Sequence, residues 1–500
     1  MENDLYKTAL NFRRHIRKNK YTNYEIIFCG NISQKTKNAF KNKKDCIFAE
    51  SDNNIASAYM CGAAIATKEY YCFTRAYEMW SDNALWELAD KGETADCIYT
   101  NEEIRKGKNS VQRLHKPDFS PDTLRSRDYI GALFACKAKT YKSVGGIDAS
   151  YGSAALTDLR LRLMDSASFA HVDKIAVYYD EKNIQPINSE QAERALLAYL
   201  HKSDLNAKVE KIENTEDCFR IKYTVKPCLV SIIIQSHNHA TELKICIDSI
   251  LKYTQNDIEI IIVENGSTQA ELFCLYEEYN KNDKIKLLQW DKPWSYAAIN
   301  NFAVQYAKGE QLLLLNNDTE ILNSEWIDEL LMFSQRADVG AVGAKLLYPN
   351  GTIQHAGTIT GICKAARHAL AGHENSEGYM HRLQIAQDLT AVTAACLMIK
   401  KDVYLEIGGM DENLAVGNND VDMCLTLRKK GYLNIFTPFC VLIHNESASR
   451  TNDGAQQHAR GVREDEYLAQ KWSRELSVND PYYSSAFVDY NADFTEKPVV

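Results

Sequence analysis

From residue 229 onward the chain alternates short apolar runs with amphipathic stretches. LVSIII (229–234) is rich in β-branched residues and stops at the polar QSHNHA, which predicts a buried strand. ELKICIDSILKY (242–253) carries apolar residues at helical spacing. IEIIIVENGS (258–267) reads as a second strand that breaks into a turn at Gly266. A helix follows, then KIKLLQW, a helical AAINNFAVQYAKG, the strand QLLLL and the loop NNDTE. Apolar strands separated by helices predict an α/β domain, a mostly parallel sheet with helices on both faces. In such sheets ligands sit beyond the carboxyl ends of the strands, so QSHNH, ENGS and NNDTE are candidates for one shared site.

The first half of the chain repeats the second. YEIIFCGNIS (24–33) matches IEIIIVENGS (258–267) without a gap, and residues 55–78 run parallel to 296–319 at constant offset. SVGGID (143–148) matches EIGGMD (406–411). A repeat of this length marks two structural units of one kind. The expected organisation is a basic helical segment at 1–21, a first α/β domain at 22–185, and a helix-plus-hairpin connector at 186–228. A second α/β domain follows at 229–453, then a polar, partly helical tail at 454–500. The opening strand of the second domain has no visible counterpart in the first.

Composition narrows the function. With 58 Lys+Arg against 67 Asp+Glu the net charge is −9, which disfavours a general nucleic-acid binder. No apolar run reaches the ~18–20 residues of a membrane span, and the start lacks the apolar core of a secretory signal. The expected location is cytoplasmic. The basic cluster Arg13, Arg14, Arg17, Lys18 and Lys20 reads either as a solvated helix or as a contact with the inner face of a membrane. No CxxC occurs among the 14 cysteines and most lie in apolar runs, as buried thiols do.

Three loops carry candidate chemistry. NNDTE closes an apolar strand, so Asp318 stands at a loop mouth. There it either holds Mg²⁺ or Mn²⁺ against a diphosphate or belongs to an ordinary turn. GNNDVDMCLTLRKKG (417–431) sets Asp420 at the start of a helix, as its N-cap or as a general base. Asp422, two residues on, either orients an acceptor or caps the helix. IHNESASR (443–450) places His444 at a strand end, where imidazole is a common metal ligand; Arg450 is a candidate phosphate contact. HAGTITG (355–361) and GGMDE (408–412) are glycine-rich but match neither GxGxxG nor the P-loop, which disfavours a dinucleotide or ATP site.

In order along the chain, VSIII, VENGS, AINN, LLLLNNDTEIL, VGAVGAKLLYPNGTIQHAG, TAACLMIKKDVYLEIGGMDE, NNDVDMCLTLR and TPFCVLIHNESASR resemble glycosyltransferase family 2. The likeness is to its rhamnosyltransferase-like branch of bacterial polysaccharide assembly, and DPYYSSAF (480–487) shares it. The resemblance implies a GT-A fold, Rossmann-like, here in two tandem copies of which the first is degenerate. It implies an inverting, metal-dependent transferase that moves a sugar from a nucleotide-diphosphate sugar, UDP- or dTDP-linked, to a hydroxyl of a saccharide acceptor. That acceptor is commonly lipid-linked; a homodimer is compatible, and nucleic acid is not a partner. Asp420 falls on the catalytic base, with Asn419 where many members have Glu. Asp318 falls on the metal-binding carboxylate of a DxD-type motif in which Asn316 replaces the first Asp, and His444 on a histidine completing the metal site. The substrate-binding set implied is Ser236, Asn238, Glu264 (against the nucleobase), Asn265, Asn301, Asn316, Asn317, His355, Asp422 and Arg450. QSHN (235–238) departs from the family's usual PTxN.

Two other readings compete. A sugar nucleotidyltransferase also uses a parallel sheet with carboxylates, but wants a glycine-rich basic first loop that QSHNHATE does not supply. A non-catalytic scaffold of two transferase-like domains is disfavoured by the retained Asp318, Asp420 and His444.

Overall fold

A computed structural model describes residues 10–498 apart from 20, 41, 53, 108–109, 364 and 447–453. The chain divides into two compact units, Met1–Ile221 and Lys222–Val500.

The second unit is built on a ten-stranded sheet. Its strands are β1 (Val230–Ser236), β2 (Ile258–Glu264), β3 (Ile285–Gln289), β4 (Gln311–Leu315), β5 (Thr319–Ile321), β6 (Val339–Leu347), β7 (Ile353–His355), β8 (Gln387–Leu389), β9 (Cys396–Lys400) and β10 (Leu433–His444). The order is β3-β2-β1-β4-β9-β6-β10-β5, with β7 paired to β6 and β8 to β10. The β3-β2-β1-β4 half is parallel throughout, as the alternation of apolar runs and helices predicts. The other half is mixed: β9 runs antiparallel to β4 and β6, and β5 antiparallel to β10, whereas β6 and β10 are parallel. The expectation of a mostly parallel sheet therefore holds for the first four strands only.

Every residue of β1 and β4 is buried, which accounts for their unbroken apolar runs: helices cover both faces, so alternation has no solvent side to serve. The helices used below are α1 (Ala240–Tyr253), α2 (Ala270–Tyr279), α3 (Tyr296–Val304), α4 (Asn419–Lys429) and α5 (Gly454–Lys471). Residues after α5 do not trail as a polar tail. Tyr482, Tyr483, Phe487 and Phe494 are buried in the core of this unit, and Asp480 accepts hydrogen bonds from the backbone N–H and hydroxyl of Thr360.

The first unit has a six-stranded sheet in the order Tyr70–Phe73, Phe134–Lys137, Cys97–Lys106, Phe169–Asp180, Met79–Trp80, with Ser110–Leu114 on the side. Several of its pairings fall at the positions of pairings in the second sheet. Tyr70 lies opposite Lys137 as Gln311 lies opposite Lys400, and Met79 opposite Tyr178 as Glu320 opposite Ile443. A separate parallel pair, Ile26–Cys29 with Cys46–Ala49, corresponds to β2 with β3. Helix Ser189–Lys202 and the paired strands Ala207–Lys211 and Phe219–Tyr223 follow. All 14 cysteines are free.

Candidate functional site

Register brings three of the expected loops together. Ser236 is level with Glu264 across β1 and β2, and Ile234 with Leu315 across β1 and β4. The tips that follow, QSHN, ENGS and NND, therefore emerge side by side at the carboxyl edge of the parallel half.

Asn316, Asp318 and His444 converge there. Thr319 pairs with His444 in the β5–β10 ladder, which sets the imidazole Nε2 3.2 Å from Asp318 Oδ1 and 3.3 Å from Asn316 Nδ2. The Asp318 carbonyl accepts from Asn445 N–H at 2.9 Å, pinning the turn. Asp318 is 8% exposed, yet its Oδ1 accepts no hydrogen bond, and His444 Nδ1 is likewise buried with none. A buried oxygen and ring nitrogen left in that state are costly unless something else meets them. Asn317 lies partly exposed in the same turn.

Asp420 is placed differently from the sequence expectation. Helix α4 begins at Asn419, and the capping position belongs to Asn418, in the left-handed region with φ 60°. Asp420 is thus inside the first turn, half-buried. One carboxylate oxygen accepts from Val421 N–H at 2.8 Å and the other from Ala394 N–H at 3.1 Å. Both contacts hold the carboxylate still at the positive end of a helix. Two groups the sequence reading missed stand around it. Burial, and after it the Asp420 carboxylate, push the Tyr296 phenol up; its hydroxyl donates to Ala394 O. His368 is held below its ordinary range by burial, while Asp420 and Glu446 pull the other way and His444 adds to the depression. Ala394 N–H donates to Asp420 and the next carbonyl, Ala395 O, accepts from Asn316 N–H at 3.0 Å, so base and metal-site candidates share one neighbourhood. His368 lay on a stretch with no motif, and only its contact with His355, Nδ1 to Nδ1 at 3.3 Å, reveals it.

Several expected substrate-binding residues are occupied within the protein. Glu264 is 3% exposed, and its oxygens take Ser267 N–H, the Ser267 hydroxyl and the Tyr276 hydroxyl, which also lies 2.8 Å from Ser236 Oγ. Asn238 accepts from Thr268 N–H at 2.8 Å, and Asn265 donates to the Trp290 and Lys292 carbonyls. These three shape the loops around the β1–β2 edge. Asn301 clamps the GGMDE loop, donating to Met410 O and accepting from Met410 N–H and Tyr404. A Cβ at Gly409 would come within 2.4 Å of its oxygen, which explains a glycine there.

Two assignments need correction. His355 is wholly buried; its Nε2 accepts from the Gly357 and Thr393 N–H groups and its Nδ1 faces His368 Nδ1 at 3.3 Å. Burial, with His368 and His444 close by, drives it well below its ordinary range. It is a neutral brace for the Thr393 loop, its Nε2 taken up inside the protein. Asp422 points away from the site: at 3% exposure it accepts from Trp472 Nε1 at 2.7 Å and Lys471 Nζ at 2.8 Å. It ties α5 to α4, and the helix cap belongs to Asn418. Arg450 and Lys20 lie outside the described residues. Arg13 of the basic cluster is turned inward, its guanidinium 2.8 Å from Asp45.

Among the described residues no three His, Cys, Asp or Glu side chains are grouped to hold a metal by themselves, and no helix is long and apolar enough to cross a membrane.

The Glycosyl transferase family 2 profile matches residues 231–408. A Sinorhizobium fredii protein, y4gI, is 31% identical over 469 residues, 90% of this chain and 52% of its own length. The O-antigen biosynthesis protein RfbC of Myxococcus xanthus is 34% identical over 425 residues, 81% of this chain and 33% of that protein. The N-acetylglucosaminyl-diphospho-decaprenol L-rhamnosyltransferase of Mycobacterium tuberculosis is 22% identical over 255 residues, 46% of this chain and 80% of that protein. The chain spans about half the length of the first relative and about a third of the second.

Proposed function

We propose that this chain, whose residues 231–408 are a glycosyltransferase family 2 domain of the GT-A kind, transfers a sugar from a nucleotide-diphosphate sugar to a saccharide hydroxyl in cell-surface polysaccharide synthesis. The observation that carries this reading is the meeting of Asp318, His444 and Asn316 at the strand tips with Asp420 fixed across the same neighbourhood. Relatives named for O-antigen biosynthesis and for rhamnosyl transfer to a lipid diphosphate support the acceptor class.

The chemistry follows from the residue types. The acceptor oxygen attacks the anomeric carbon, the bond from that carbon to the diphosphate breaks, and the nucleoside diphosphate departs with the electron pair. Asp420 takes the acceptor proton. Its two backbone hydrogen bonds orient the carboxylate toward that step. Attack opposite the leaving group inverts the anomeric centre in one displacement.

The donor atoms at the strand tips suit a divalent cation: one carboxylate and one imidazole, both with unmet buried atoms, leave room for phosphate oxygens to complete the shell. Asp318 and His444 would hold it, and when bound it would neutralise charge on the leaving diphosphate. Glu264, Asn238 and Asn265 act through the loops they shape, which frame the nucleotide end of the cleft.

In the first unit, Arg75 and Tyr77 stand where Asn316 and Asp318 stand. The Arg75 guanidinium donates to the Tyr77 hydroxyl at 2.6 Å, and Tyr179, in place of His444, packs edge-on against Tyr77. Gly30 replaces Glu264, and Leu156 is aligned with Asp420. We take this unit to be a degenerate copy without chemistry of its own.

The test is a panel of nucleotide sugars incubated with Mn²⁺ or Mg²⁺ and the protein, followed by release of nucleoside diphosphate. Slow hydrolysis of one donor, lost in Asp420→Asn, is expected. Pyrophosphate-dependent release of a sugar phosphate would establish a nucleotidyltransferase instead, and no turnover of any donor would leave a scaffold.

A further inference from the structure

Among the described residues the first sheet is one strand short of the second unit's parallel half. In the second unit β1 runs between β2 and β4, parallel to both, with Ile232 level with Ile260 on one side and Leu313 on the other. All of its residues, VSIIIQS, are buried and none is charged. In the first unit the parallel pair Ile26–Cys29 and Cys46–Ala49 stands as a sheet of its own, and Tyr70–Phe73 ends the six-stranded one. At the offsets of the repeat, Ile26–Cys29 corresponds to Ile260–Val263 and Tyr70–Phe73 to Gln311–Leu314. Between these two edges, unpaired among the described residues, lies a cavity of about 1070 Å³, lined by both strands and by Phe12, Ile16, Tyr59 and Trp80. Its far wall is tightly set: a Cβ at Gly62 of helix Ile55–Ile65 would meet Cys29 Sγ at 2.9 Å.

The chemistry of the gap selects its occupant. Each strand edge offers a row of backbone N–H and C=O groups that need partners. An aliphatic chain would fill the volume and leave those groups unmet, at a cost for each one buried. An extended peptide meets both edges at once, as strand addition does elsewhere. We propose that the first unit binds an uncharged peptide segment rich in β-branched residues, supplied by a partner protein and inserted as a strand parallel to Ile26–Cys29 and Tyr70–Phe73. This site is independent of whether the second unit transfers sugar.

The register makes the proposal specific. A residue in the place of Ile232 would lie level with Ile26 and Cys72, within the ~4.8 Å spacing of neighbouring strands. The probe is a labelled synthetic peptide covering residues 226–238 with Cys228→Ser, flanked by lysines for solubility, and with photo-leucine at Ile232. It is titrated against the full chain by fluorescence anisotropy and then cross-linked. Saturable binding about tenfold tighter than a scrambled peptide, with cross-links mapped to Ile26–Cys29 or Tyr70–Phe73, is the expected result. Equal affinity for the scrambled peptide, cross-links elsewhere, or no binding at 100-fold excess of peptide over protein would overturn it. Binding that emerges only after deletion of residues 1–9 would also overturn it, because the occupant would then be the chain's own N-terminal segment. Displacement of the peptide by a dodecyl-chain detergent below its micellar concentration, with cross-links absent, would assign the cavity to a lipid.

Discussion

Both carboxylate oxygens of Asp420 are engaged by backbone N–H groups, one from its own helix and one from the loop at Ala394. An Asp next to a helix start reads as a cap, but Asn418 holds that position and Asp420 is oriented by Ala394 N–H from another loop. Asp420→Asn keeps the shape and removes the base. Transfer should fall by about 10²–10⁴-fold while nucleoside diphosphate binding, measured by calorimetry, stays within about twofold. A loss under tenfold would reduce Asp420 to a positioning role. Asp318→Ala and His444→Ala should each abolish the Mn²⁺-dependent part of diphosphate binding in the same calorimetric titration; unchanged enhancement in either variant would strike that residue from the ligand set. These residues were legible because strand-end loops with carboxylates and imidazoles have a motif order. His355 and Asp422 misled for a physical reason: a histidine in a glycine-rich loop and a second Asp one half-turn on show nothing in sequence of which way they point. Their partners show it: backbone N–H groups of Gly357 and Thr393 on His355, and Trp472 with Lys471 on Asp422.

Packing between secondary-structure elements was less legible. The tail after residue 454 reads as polar, yet helix α5 is fixed to α4 through Asp422, with Trp472 Nε1 and Lys471 Nζ on one carboxylate oxygen. Polar residues that bind an inward carboxylate look solvated in sequence, so this anchor left no signal. Asp422→Ala would strand a buried indole N–H and should lower unfolding stability of the second unit by about 1–3 kcal/mol, with denaturant midpoint as the measurement. The loop carrying Thr393 depends on His355 in a pH-sensitive way. Its folded pKa lies well below the ordinary value of 6.5, so the unfolded state binds the extra proton. The stability it contributes is therefore complete above about pH 6.5 and is lost as pH falls below it, by up to about 1.4 kcal/mol per pH unit. Urea midpoints at pH 7.5 and 5.0 should differ in the parent and differ less in His355→Asn. An equal drop in both would move the effect to another group.

The internal repeat was the most legible feature, because register survives where chemistry has gone. The offsets read from GGID against GGMD and YYCF against QLLL reappear as strand pairings, Tyr70 with Lys137 and Gln311 with Lys400. What sequence could not give was the mixed half of the second sheet, since a short apolar run carries no direction. The matched register also places the substitutions that separate the two units: Tyr77 at the Asp318 position and Tyr179 at the His444 position are aromatic rings in edge contact, and Arg75 sets a cation beside them. A cation bonded to a phenol and packed by a second ring cannot receive a metal, yet the same groups fill space well. Apolar framework was therefore retained and ligand chemistry was not, which is the pattern expected when one unit catalyses and the other binds. Arg75→Ala with Tyr77→Ala in the full chain should leave transfer within about twofold of the parent, since neither side chain belongs to the second unit's chemistry. It should lower the thermal stability of the first unit through lost ring packing of about 0.5–1.5 kcal/mol. A double variant that loses transfer at normal stability, together with an active Asp420→Asn, would reverse the assignment and make the first unit the catalyst.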